Sequence, residues 1–404
     1  MNSGSVTTNI LTKIGICAIL SIVIFQTFFM LQRFYHNLAP LLEKNRALIL
    51  FGPRRVGKTT LLQNFLKTTP LKYKLDSGDN IATQQVLGSQ DFPKIQEYIS
   101  GYQLIAIDEA QNIPNIGMGL KIIIDQGSDT FLIATGSSSF DLSQQVGEPL
   151  TGRKKTITLY PVAQKELISQ WNKHELREKL EDFLIFGSYP EVITAPDRAK
   201  KIEILTELVE SYVLKDILAL ERVKSPKFLL DLLKLLAFQV GSEVSHSELA
   251  TQLKIDVKTV DRYIDLLEKS FIIRRVGGLS RNLRKEITKK SKYYFLDTGI
   301  RNAVIAQFNG LENRNDVGQL FENFVVMERE KKCHYDAIVR SVYFWRTYDG
   351  QEIDMVEERG GGLFGYEVKW SETKKIQAPA DWKKHYPQAQ YQVINRENYL
   401  DFIA

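Results

Sequence analysis

The stretch from Arg46 to Leu66, RALILFGPRRVGKTTLLQNFL, constrains the fold more than any other part of the chain. Its first residues, Arg46 to Phe51, form a short apolar run with the length and composition of a buried parallel strand. The run leads straight into Gly52, Pro53, Arg54, Arg55, Val56, Gly57, Lys58 and Thr59, a full match to GxxxxGK[ST], with Thr60 next. Two glycines let the backbone bend until successive N–H groups converge on one point, and the lysine adds a positive charge there. Thr59 offers a hydroxyl suited to Mg²⁺. Residues Thr59 to Leu66 read as a helix whose positive N-terminal end faces the same point. This strand, loop and helix predict a cradle for nucleotide phosphates.

A second apolar run, Leu104 to Ile107 (LIAI), ends in Asp108 and Glu109, and is expected to lie beside the first strand in one sheet. Phosphoryl transfer needs neutralised charge and an aligned nucleophile, so Asp108 is expected to hold Mg²⁺ through water and Glu109 to polarise the attacking water. The alternative is an acidic pair capping a helix. A third run, Thr130 to Ala134, delivers Thr135, Gly136 and three serines, of which Ser137 is expected beside the terminal phosphate; a serine-rich turn is the alternative. Arg153, after Gly152, is a candidate to meet that phosphate in cis or from a neighbouring subunit, or else a solvated cation beside Lys154 and Lys155. Action in trans implies an oligomer, although no sequence feature fixes a ring.

At 404 residues the chain exceeds one ordinary domain, and 44% hydrophobic with 25% charged residues excludes disordered and repetitive classes. Its two cysteines, Cys17 and Cys333, stand far apart without a CxxC pair, which argues against a disulfide framework and a cysteine zinc site. A net charge of +5 is mild, so only local clusters argue for a polyanionic partner. Ile14 to Leu31 carries no charge and approaches the roughly 20 apolar residues that span a bilayer. Lys13 precedes it while Arg33, Lys44 and Arg46 follow, which leaves the bulk cytoplasmic, tethered to the inner face of the membrane by residues 14–31. A competing reading starts the chain at Met30 and makes residues 1–31 a mis-assigned translation start rather than a transmembrane anchor.

Phe228 to Val240 has amphipathic helical spacing; Ser245 then caps a helix through Leu253, and a three-residue break precedes a second helix from Val257 to Lys269. This is helix-turn-helix spacing, and Phe271 to Val276 with Lys292 to Leu296 would be the strands of a wing. From Arg274 to Lys292 eight Lys or Arg residues stand against the single Glu286, a stretch able to follow the DNA backbone. Asp261, Asp265 and Glu268 on the second helix oppose direct base reading.

Further on, Glu322 lies on a predicted helix, Gly318 to Lys331; Val342 to Arg346 is a strand, and Asp349-Gly350 turns into a strand carrying Asp354. Side chains alternate along a strand, so Glu367 and Lys369 share a face on the next one and can meet Asp354 there. Two carboxylates and a lysine on one face is the PD-(D/E)xK arrangement: Asp354 and Glu367 would bind Mg²⁺, Glu322 would add a third carboxylate, and Lys369 would help activate water. A solvated sheet edge of paired charges is the alternative.

Taken together, FGPRRVGKTTLL, LIAIDEAQNIP, FLIATGSSS, LTGRKKTITLYPV and FGSYPEVI, with the later KSKYYFLDTGIRNAV, GQLFENFVVMERE, WRTYDGQEIDMV and FGYEVKW, resemble a widespread prokaryotic family of AAA-like ATPases. The resemblance implies ATP as the nucleotide. It also implies an α/β chain: a P-loop NTPase parallel sheet with flanking helices over 32–165, a helical linker over 166–224, a winged helix over 225–300 and a small PD-(D/E)xK-like domain, of restriction-endonuclease type, over 301–404.

Overall fold

The computed structural model describes residues 31–127, 129–136, 149–213, 226–279, 290–347, 349–371 and 377–404. The chain divides into the units Met1–Arg33 and Phe34–Ala404, and everything below concerns the second. Among the described residues no helix is long and apolar enough to cross a membrane. Residues 14–30 of the apolar run, on which the anchor reading rests, lie outside them.

Five short strands, β1 (Ala47–Phe51), β2 (Tyr73–Ser77), β3 (Leu104–Asp108), β4 (Phe131–Gly136) and β5 (Lys154–Thr158), make a parallel sheet in the order β2-β3-β4-β1-β5. β1 is buried at every position, as its unbroken apolar run requires for a strand covered on both faces. One expectation needs correction: β3 is not the neighbour of β1, because β4 lies between them, pairing Ala47 with Leu132 on one side and Leu104 with Phe131 on the other. Both runs are apolar enough for a central place, so composition did not order them; strand order is set by crossover connections. Ile49, Ile105, Ile107 and Leu132 pack with Ile116, Leu120 and Ile123 of the helix Ile116–Gln126 in one core. Burying each such side chain contributes about 1.5–3 kcal/mol. Because all five strands are parallel, the loops after β1, β3 and β4 emerge at one edge of the sheet.

A second sheet has seven strands in the order β12-β11-β10-β9-β7-β8-β6. They are β6 (Glu243–Val244), β7 (Ile273–Gly278), β8 (Ser291–Phe295), β9 (Ser341–Arg346), β10 (Glu352–Arg359), β11 (Gly362–Val368) and β12 (Gln390–Ile394). Helices His246–Leu253 and Val257–Lys269 are capped by Ser245 and Asp256, as expected from helix-forming runs behind N-cap residues. The expected boundary at 300/301 crosses this continuous sheet. β7 pairs in parallel with β9 at Gly277↔Tyr343 and Gly278↔Phe344, and the Leu279 N–H donates to the Phe344 carbonyl at 2.7 Å. An edge strand carries unpaired N–H and C=O groups, and β9 satisfies those of β7.

Helix Val317–Tyr335 ties the parts together through buried polar groups. Its Glu328 accepts from the Gln164 N–H at 2.7 Å, and its Lys331 donates to Glu328 at 2.6 Å and to the Ser188 hydroxyl at 3.2 Å. Asp297 accepts from the Ser188 N–H at 2.7 Å and the Ile300 N–H at 3.2 Å, so the FGSYP and FLDTG segments meet at one carboxyl. Gly187 there has φ +71°, and a Cβ on it would run into the Asp297 carboxylate.

Candidate active site

The loop after β1 is shaped by three left-handed or glycine-only positions: Gly52 at φ +149°, Arg55 at +59° and Gly57 at +95°. A Cβ on Gly52 would also collide with the Leu159 carbonyl, so this glycine serves close packing as well as the turn. Gly57 opens the helix Lys58–Thr68. Lys58 is 5% exposed, and its Nζ donates to the carbonyls of Gly52 and Pro53 at 2.8 Å each, which centres its charge within the bend. Pro53 and Val56 are buried, Arg54 is half-buried, and Thr59 and Thr60 face solvent.

Asp108, the last residue of β3, faces the loop directly. Its Oδ2 accepts from the Thr59 hydroxyl at 2.8 Å and its Oδ1 from the Thr135 hydroxyl. Thr135 is fully buried and also accepts the Glu109 N–H at 3.1 Å. Glu109 has φ +50°, sparsely populated for a residue with a side chain, and its Oε2 accepts from the Gln111 amide at 2.5 Å. A carboxylate and a hydroxyl side by side, next to a buried ammonium, are hard oxygen donors of the kind a hydrated Mg²⁺ takes.

Sequence reasoning passed over Thr135 in favour of Ser137, which lies outside the described residues. The register that pairs Ile107 with Ala134 is what sets Thr135 beside Asp108, and only knowledge that β3 and β4 are neighbours could have selected it. Arg153 is a correction for action in cis. It sits just before β5, where Lys154 pairs with Ala47 at the start of β1, and it is engaged by Asp125. The phosphate loop leaves the other end of β1, about five residues or some 17 Å away at strand rise. Arg55 reaches across instead to the helices that follow the sheet, with Nη atoms 3.4 Å from Glu191 and 2.6 Å from Glu207.

The four residues of the nuclease-like expectation also come together. The antiparallel register that pairs Met355 with Tyr366 sets Asp354 opposite Glu367. Asp354 accepts from the Val368 N–H at 2.8 Å, and Lys369 lies 2.6 Å from Glu367. Glu322 accepts from the Tyr294 hydroxyl at 2.7 Å; burial and then the Asp354 charge push its pKa up to about 8. Burial and Asp354 likewise raise Glu367. A residue that sequence reasoning placed elsewhere joins them: Lys292, counted as a wing cation, turns inward from β8, 1% exposed. Among the described residues no group of three or more carboxylate, imidazole or thiol side chains is arranged to hold a metal ion.

The other cations of the basic stretch are also partly engaged. Arg274 lies 3.7 Å from Glu330, and the Arg275 Nε donates to the Ser291 hydroxyl at 2.8 Å. Residues 280–289, which carry half of the eight, lie outside the described residues. A groove of about 500 Å³ beside helix Val257–Lys269 is lined by His246, Asp261, Asp265, Glu268, Arg275 and Lys290. In its wall His246 joins Asp261 to the Tyr293 hydroxyl, the latter at 2.6 Å.

Residues 44–168 match the model of the AAA domain. The N-terminal sheet is an AAA-like P-loop domain. Residues 177–312 and 317–402 match two domains of unknown function (DUF8612 and DUF4143). An uncharacterized protein of Mycobacterium tuberculosis is 26% identical over 339 residues, 83% of this chain and 73% of that relative. One of Haemophilus influenzae is 27% identical over 344 residues, 79% of this chain and 81% of its own length. Among solved structures the chain is similar to the Walker-type ATPase PABY2304 of Pyrococcus abyssi, at 17% identity and TM-score 0.43, over 65% of this chain and 91% of that one.

Proposed function

We propose that the chain binds Mg-ATP at the loop 52–60 and hydrolyses it, and that the helices after the sheet read the outcome. The observation that carries this reading is the Thr59–Asp108–Thr135 hydrogen-bonded set closing on the lysine-centred loop. Backbone N–H groups and Lys58 bind the β and γ phosphates. Thr59 and Asp108 hold Mg²⁺, which neutralises developing charge when bound. Glu109 accepts a proton from the attacking water, or orients it, once its carboxylate exchanges the Gln111 amide for that water. Thr135 fixes the Asp108 carboxylate and the Glu109 backbone in one orientation, so both acids are set by a single hydroxyl.

A second reading, a nucleotide-controlled switch acting on a protein partner, is favoured by Arg55, which links the phosphate loop to Glu191 and Glu207 without any turnover. Action on DNA has weaker support: Lys292 is withdrawn from the wing surface, and the helix that would enter a groove presents Asp261, Asp265 and Glu268 to it. The experiment is Glu109→Gln in the full chain, with steady-state hydrolysis and Mg-ATP binding measured side by side. Turnover is expected to fall on the order of 10²–10⁴-fold while binding stays. Turnover at the wild-type rate discards Glu109 as the residue that handles water.

A further inference from the structure

A divalent cation held by Glu322, Asp354 and Glu367 is what the nuclease-like expectation requires, and the cluster does not fit one. The Lys292 Nζ lies 2.6 Å from Glu352 Oε1, 3.5 Å from Glu322 Oε1 and 3.7 Å from Asp354 Oδ1. One ammonium therefore reaches carboxyl groups from both the helix Val317–Tyr335 and β10. It also sits 5.6 Å from the Phe344 ring centroid, a face that favours cations. One oxygen of each of the three expected ligands is committed elsewhere: Asp354 Oδ2 accepts the Val368 N–H, Glu322 Oε1 the Tyr294 hydroxyl, and Glu367 Oε1 the Lys369 ammonium, while Glu367 Oε2 is buried with no hydrogen-bond partner. Mg²⁺ needs oxygen ligands at about 2.0–2.1 Å in near-octahedral array, and could take these oxygens only by expelling a buried positive charge. Expulsion has no cheap route, because the Lys292 side chain is 2% exposed and its backbone is held in β8 opposite Glu243 on one side and Val276 on the other.

We propose that Lys292 is the resident cation of this cluster: its tethered ammonium takes the place of a divalent ion and clamps β8 to the C-terminal lobe as a metal-independent joint. The proposal does not depend on the ATPase reading. Lysine, unlike Mg²⁺, carries no bound water that it could deliver as hydroxide, so the joint holds structure and leaves Lys369 paired to Glu367.

The test is Mn²⁺ uptake by the full chain without nucleotide, followed by electron paramagnetic resonance, in wild type, Asp354→Asn, Lys292→Met and the double variant. Wild type and Asp354→Asn are expected to take up the same amount. Lys292→Met is expected to gain one further equivalent, which the double variant loses again. Uptake by wild type that Asp354→Asn abolishes overturns the proposal, as does a folded Lys292→Met that gains nothing. Should Lys292→Met fail to fold, Lys292→Arg keeps the charge and is expected to fold without acquiring Mn²⁺; uptake by that variant likewise overturns it.

Discussion

Glu322 shows at the scale of one residue how the fold changes chemistry. Its carboxyl is raised from the ordinary 4.5 to about 8 by burial and by Asp354, so the folded chain keeps a proton that the unfolded chain releases. Stability therefore falls as pH rises from about 4.5 to 8, because the native state binds more protons across that window. Glu322→Gln stays neutral, and the decline of Tm across this range is expected to flatten, leaving the slope that Glu367, Glu328 and Asp297, also raised by burial, contribute; an unchanged slope would contradict the assignment. At this scale the glycine-bent loop after β1 was legible because its residues are contiguous in the chain. Thr135 was not, since its partner is set by inter-strand register. Lys292 was misplaced for a related reason. β8, SKYYF, is buried at all five positions, so it lacks the alternation that tells an inward lysine from an outward one.

Between elements, Arg55 is the connection with functional weight. Its side chain is 24% exposed while Glu191 and Glu207 are 52% and 50% exposed, so solvent screens both pairs. Each contributes roughly 0–1 kcal/mol to stability. Arg55→Ala should thus leave Tm nearly unchanged while uncoupling helix Arg198–Glu207 from the loop. The measurement is amide exchange: nucleotide should protect that helix in wild type and not in Arg55→Ala, and equal protection in both would remove Arg55 from the linkage. Such a pair was invisible in the sequence, being 136 and 152 residues apart. The helices around it were readable from their caps and apolar spacing. The exchange of β3 for β4 beside β1 was not, because two apolar runs of similar length carry no information about order.

Across the whole of Phe34–Ala404, two sheets divide the work. The parallel sheet gathers the loop 52–60 and the acidic groups Asp108 and Glu109 at one edge, and the mixed sheet joins helices His246–Leu253 and Val257–Lys269 to the C-terminal lobe through β7 and β9. Sequence separated those last parts because the joining strands are short and lie more than sixty residues apart, from Gly277 to Tyr343. In the proposed function, what unites the molecule is capture of a nucleotide by the loop after β1. Titration of the full chain with Mg-ATP, against Lys58→Ala, measures that directly. Saturable binding of one nucleotide per chain is expected, weakened roughly 10- to 100-fold when the ammonium is removed. Absence of binding at millimolar Mg-ATP, or equal binding by the variant, would contradict it.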